Sequence, residues 1–119
     1  MSSVLIVDDS RTMRKMLAGA LAEVGIDVAG NAGNGVEALE LLKTVKPDLI
    51  TLDITMPEMD GLEALRKIKD QYPEQKVLMV SAAGQKEKVL EALKLGALDF
   101  IQKPFEQDIM IKTIQKVLA

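Results

Sequence analysis

The sequence predicts an α/β protein: a five-stranded parallel sheet, doubly wound, with five helices packed on its two faces. Two observations carry this. Short apolar runs alternate with segments of helical periodicity along the whole chain. The runs are continuously apolar instead of alternating with polar residues, the pattern of strands covered on both sides.

The first strand is read over Val4-Leu5-Ile6-Val7. Met13, Met16, Leu17, Ala20, Leu21 and Val24 then recur on one helical face, with Ser10 to cap the start and Gly25 to end it. The second strand is the run Val28–Gly30, followed by a helix that buries Ala38, Leu41, Leu42 and Val45 and stops before Pro47. The third strand is Leu49–Leu52. Asp60 with Glu63 reads as a capping box for the next helix, which carries Leu62, Leu65 and Ile68 and closes at Tyr72-Pro73. Val77–Val80 forms the fourth strand, and the fourth helix carries Val89, Leu90 and Leu93 before Gly96. Phe100–Ile101 is the last strand. The final helix carries Met110, Ile114, Val117 and Leu118.

A length of 119 residues fits one domain spanning 1–119, and a hydrophobic fraction of 48% suffices for a core at that size. Aromatics are only 3%, so aliphatic side chains and seven Met must fill it. The absence of Cys and His excludes disulfides, zinc sites of the usual ligands, and Ser-His-Asp or Cys-His catalysis. A net charge of −3 argues against nucleic acid as a partner. Neither a secretory leader nor a membrane-length apolar run is read, so a cytoplasmic protein with no membrane partner is expected.

Polar residues gather at one place. Asp8 and Asp9 follow the first strand, Asp53 ends the third, Ser81 ends the fourth and Lys103 follows the fifth. All are carboxyl ends of strands, where open parallel sheets place their ligand crevice. Asp8-Asp9 exceeds what helix capping needs, because Ser10 already serves. Asp53 follows a wholly apolar strand, and a carboxylate there is costly without a partner. Lys103-Pro104 directly after a strand can form a cis bond that fixes a tight turn.

Carboxylates in one crevice repel, on the order of 4 kcal/mol per pair at ~4 Å and an effective dielectric of ~20. A cation relieves this, and oxygen-only ligands with open coordination suit Mg²⁺. A carboxylate nucleophile beside Mg²⁺ and a Lys ammonium is suited to phosphoryl transfer, with Asp53 attacking in line. Its product, an acyl phosphate, is labile and serves a reversible signal.

The motifs Val7-Asp8-Asp9-Ser10, Asp53 to Gly61, Ser81-Ala82 and Lys103-Pro104-Phe105 together resemble the response-regulator receiver domain, over essentially the whole chain. The run Asp53 to Gly61 and the segment Ser81 to Gln85 are most similar to stand-alone chemotaxis response regulators. The resemblance implies the flavodoxin-like sheet order 2-1-3-4-5. It implies Asp53 as phosphoacceptor, with Asp8, Asp9, Asp53 and the Thr55 backbone carbonyl holding Mg²⁺. Lys103 would pair with the phosphoryl group, and Ser81 would swing its hydroxyl to it. Phe100 would change rotamer in response, although relatives often carry Tyr there. Pro57, Gly61 and Pro104 would shape the loops. The implied partners are a sensor histidine kinase as donor, a flagellar motor switch protein as target and a phosphatase, with the chain itself a monomer.

Other readings compete. A phosphorelay shuttle would pass its phosphate to a histidine phosphotransfer protein. A haloacid-dehalogenase-like phosphatase needs a second Asp two residues after its nucleophile, where Thr55 stands. A flavin carrier would meet repulsion between its phosphate and Asp8-Asp9. The chain is therefore expected to catalyse only its own phosphorylation and dephosphorylation.

Overall fold

The computed structural model describes residues 2–119. Strands β1 (Ser3–Val7), β2 (Asp27–Ala32), β3 (Leu49–Asp53), β4 (Lys76–Ser81) and β5 (Asp99–Gln102) alternate with five helices. These are α1 (Arg11–Glu23), α2 (Gly35–Leu41), α3 (Gly61–Gln71), α4 (Lys86–Lys94) and α5 (Gln107–Leu118). The sheet order is β2-β1-β3-β4-β5 and every neighbouring pair is parallel. The fold class, the order and the five helices agree with the expectation.

Successive residues of a strand point to opposite faces, and this divides the interior in two. Leu5, Val7, Ile50, Leu52, Val77 and Met79 face α2, α3 and α4. Val4, Ile6, Leu49, Leu78 and Ile101 face α1 and α5. The middle strand β3 is buried along its whole length. The edge strands β2 and β5 are not, and the expectation of strands covered on both sides fails there, because an edge has only one strand beside it.

The helix ends follow their sequence signals. Ser10 accepts the Met13 N–H at 3.1 Å and Asp60 the Glu63 N–H at 2.9 Å, so each caps its helix. The reciprocal half of the expected capping box is replaced: the Glu63 carboxylate faces Lys67 at 3.9 Å. At the end of α1, Gly25 takes φ +74°, the Gly25 N–H reaches the Ala22 carbonyl and the Ile26 N–H reaches the Leu21 carbonyl. That is a Schellman motif, and it feeds Ile26 into the core.

Four apolar residues assigned to helix cores lie at the surface. Met16 and Val24 of the first helical segment and Leu90 and Leu93 of α4 are each at least 36% exposed. In each helix the buried face is narrower than the apolar stripe. In α1 only Leu17, Ala20 and Leu21 are buried, and in α4 only Val89 and Ala92. Helix α2 is also shorter than read: it ends at Leu41, and Val45 lies beyond it in a turn closed by its N–H on the Leu41 carbonyl.

Candidate functional site

The carboxyl edge of the sheet brings Asp8, Asp9, Asp53, Ser81 and Lys103 to one rim, because four parallel strands end there in register. Asp8 is buried and every polar group it carries is engaged. Its N–H donates to the Ala32 carbonyl at 3.0 Å, and its Oδ1 accepts the Ser10 N–H at 2.8 Å. Its Oδ2 accepts from Lys103 Nζ at 3.0 Å, and the Arg14 guanidinium donates to its carbonyl at 2.5 Å. Asp9, next along, is exposed.

Asp53 is buried at the end of β3, with Lys103 Nζ 3.5 Å from its Oδ2. Oxygens of Asp8, Asp9 and Asp53 lie within 4.8 Å of one another. Burial first, then the charge of Asp8, push the Asp53 carboxyl up to about 6, against the opposing pull of Lys103. Burial alone would lower the Lys103 ammonium, but its hydrogen bond to Asp8 and the charges of Asp53 and Asp8 hold it above its ordinary value. The set is therefore short of positive charge: among the described residues, one ammonium stands against three carboxylates. Its donors are all oxygen and one of them faces solvent, which fits a hard divalent cation such as Mg²⁺ that keeps part of its water.

The loop after Asp53 returns at once beneath the site. The Gly61 N–H donates to the Ile54 carbonyl at 2.6 Å. A β-carbon on Gly61 would lie 2.2 Å from the Asp53 carbonyl oxygen and 2.7 Å from the Ile54 α-carbon. No L side chain fits. Pro57 opens the turn, its carbonyl accepting the Met59 N–H at 2.7 Å, and Glu58 takes φ +65°.

The remaining residues sit less centrally. Ser81 is buried beside Asp53, but its hydroxyl donates to the Ile101 carbonyl at 3.5 Å. The Thr55 side chain is exposed. The Lys103 N–H donates to the Ser81 carbonyl at 2.7 Å, and the Lys103–Pro104 peptide bond is cis. Phe100 stands apart from the acids, 41% exposed in a groove with Val89, Leu90 and Leu93.

Two rim residues take roles that the sequence does not give them. Arg14 is one cation among many in the sequence, and only the turn of α1 places its guanidinium over the Asp8 carbonyl. Gln85 joins the loops on either side of Asp53, its amide reaching both Thr55 and Ala82.

A doubly wound parallel sheet with an acidic, metal-competent crevice at its carboxyl edge defines the general class. The response regulator receiver domain matches residues 4–115, and the chain belongs to that family. The chemotaxis protein CheY of Thermotoga maritima is 48% identical over 96% of this chain and 95% of its own. A protein-glutamate methylesterase/protein-glutamine glutaminase of Archaeoglobus fulgidus is 50% identical over 85% of this chain but only 29% of its own length. The crystal structure of the receiver domain of NtrX from Brucella abortus superposes with a TM-score of 0.91 at 37% identity, covering 97% of each chain. Among the described residues, no helix is long and apolar enough to cross a membrane.

Proposed function

We propose that this chain, as one receiver domain over residues 1–119, accepts a phosphoryl group on Asp53 from the phosphohistidine of a sensor histidine kinase. The observation that carries the reading is a buried carboxylate flanked by two further acids and one ammonium, a group poised as a nucleophile. The bond between imidazole nitrogen and phosphorus breaks as an oxygen of the ionised Asp53 carboxylate bonds to phosphorus; the imidazole, protonated on its other nitrogen, leaves as neutral histidine, and Asp53 carries the phosphoryl group as an aspartyl phosphate. Asp8, Asp9, Asp53 and the Thr55 carbonyl would hold Mg²⁺. Bound there, the metal supplies positive charge to the phosphoryl oxygens.

The chain's own residues do the rest. Lys103 shifts from Asp8 towards the phosphoryl group, a displacement that starts from a 3.0 Å hydrogen bond. Ser81 exchanges a long bond to Ile101 for a charge-assisted one to a phosphoryl oxygen, which is the stronger of the two. The loop after Ser81 follows inward. The exposed face of α4, β5 and α5, with Phe100 in its groove, then changes its preference for a partner. Moving a population from 1:99 to 99:1 requires about 5.5 kcal/mol of differential interaction, within reach of one phosphoryl group with a hydroxyl and an ammonium.

The length and identity shared with a chemotaxis CheY support a flagellar motor switch protein as the partner. Treating the chain with a small phosphodonor, with and without Mg²⁺, tests the reading by intact mass. Labelling is expected to require Mg²⁺ and to vanish in Asp53→Asn; labelling that survives the substitution overturns it. Binding of a motor-switch peptide is expected to strengthen on phosphorylation, and equal affinity in both states overturns that partner.

A further inference from the structure

One side chain ties together the two loops that flank Asp53. Gln85 Nε2 donates to Thr55 Oγ1 at 2.5 Å, in the loop after β3. Gln85 Oε1 accepts the Ala82 N–H at 2.6 Å, in the loop after β4. A backbone N–H requires an acceptor, so the amide orientation is fixed by its partners. Gln85 is also the residue from which α4 starts: its carbonyl accepts the Val89 N–H at 3.0 Å, while its side chain takes no part in capping the helix. The amide is spent on the crossing instead.

We infer that Gln85 is a latch for the resting state, a positioning residue that holds Ala82 to Thr55 across the mouth of the site until the segment after Ser81 moves inward. The inference rests on the reading that Ser81 swings towards a phosphoryl group on Asp53. Ala82 follows Ser81 directly, so that swing pulls the Ala82 N–H away from Gln85. Release then acts on α4 through the backbone of Gln85 itself, and α4 supplies Val89, Leu90 and Leu93 to the groove around Phe100. Site and groove are thus joined by one residue, without a chain of intermediates.

Breaking the latch removes a contact present only in the resting state, so the competent state gains population and ligands selective for it bind tighter. The gain is about three- to tenfold, the equivalent of a single net hydrogen bond. Beryllofluoride with Mg²⁺, a stand-in for the phosphoryl group, reads this directly. Gln85→Leu is expected to bind it about three- to tenfold tighter than the parent protein. Thr55→Val added to Gln85→Leu is expected to change nothing further, since the contact is already gone.

Amide exchange gives a second readout that does not depend on phosphorylation. The Ala82 N–H is expected to exchange about three- to tenfold faster in Gln85→Leu. Unchanged exchange at Ala82, weaker beryllofluoride binding, or an independent additive effect of Thr55→Val each overturns the latch. If the parent protein binds no beryllofluoride, the phosphoacceptor reading falls, and the Ala82 exchange rate still decides whether Gln85 holds that amide.

Discussion

Lys103 is bound more closely to Asp8, at 3.0 Å, than to Asp53, at 3.5 Å. The Lys103 ammonium is thus shared, and the carboxylate with the raised titration is the one it serves less well.

Lys103→Met is expected to raise the Asp53 titration beyond about 6, since burial and the two neighbouring acids then act unopposed. Carbon-detected NMR of the Asp53 carboxyl follows this. The same variant leaves Asp8 buried without its partner. Breaking a fully buried pair costs about 3–5 kcal/mol. The Lys103 side chain is 22% exposed, so a smaller loss, about 2 kcal/mol, is expected in urea unfolding at neutral pH.

Stability should depend on pH through Asp53. Its folded value, about 6, lies above its ordinary value of 3.8. Within that window the folded chain keeps a proton that the unfolded chain has released, so stability falls as pH rises through it and levels off above. Asp53→Asn cannot release that proton. It is expected to exceed the parent protein by about 2 kcal/mol at pH ~7 and to match it near pH ~4, which urea midpoints across the range will show.

Gly61→Ala is expected to be among the most damaging single-methyl substitutions in the chain. The atoms it meets, the Asp53 carbonyl oxygen and the Ile54 α-carbon, are backbone and cannot rotate away. A loss of about 3 kcal/mol is expected in urea unfolding, with altered amide shifts at Asp53.

Thr51→Val is expected to stabilise. The Thr51 hydroxyl is buried in β3 between Ile6 and Leu78 and has no hydrogen-bond partner among the described residues. Replacing it by a methyl of nearly the same shape relieves an unpaired polar group, for a gain of about 1 kcal/mol in urea unfolding at unchanged m-value.

The fold was legible because its signals are local. Apolar runs such as Val77–Val80, the Ser10 and Asp60 caps and the Gly25 stop each act within a few residues, and each acts in the structure as read. The rim was legible for a different reason: parallel strands carry their ends to one edge, so the polar residues at the ends of β1, β3, β4 and β5 must meet. What could not be read depends on distance in three dimensions. The burial of Val89 and exposure of Leu90 turn on which side of α4 lies against β4 and α3. The Gly61 contact turns on the path of the loop after Asp53, and the Gln85 amide on two loops thirty positions apart for one of its bonds. No periodicity encodes either.

The separation of the interior by the sheet has a consequence for how the chain can vary. Leu5 and Ile6 are neighbours in sequence, yet they belong to compartments that share no side chain among the described residues. A change of volume beneath α1 and α5 is felt beneath α3 only through strand backbone, which yields little. Substitutions on opposite sides should therefore accumulate almost independently, while those on one side constrain each other. Lineages could rebuild the layer under α1 and α5 methyl by methyl, leaving the packing behind the α4 groove intact, and so drift in composition without renegotiating the surface a partner would read.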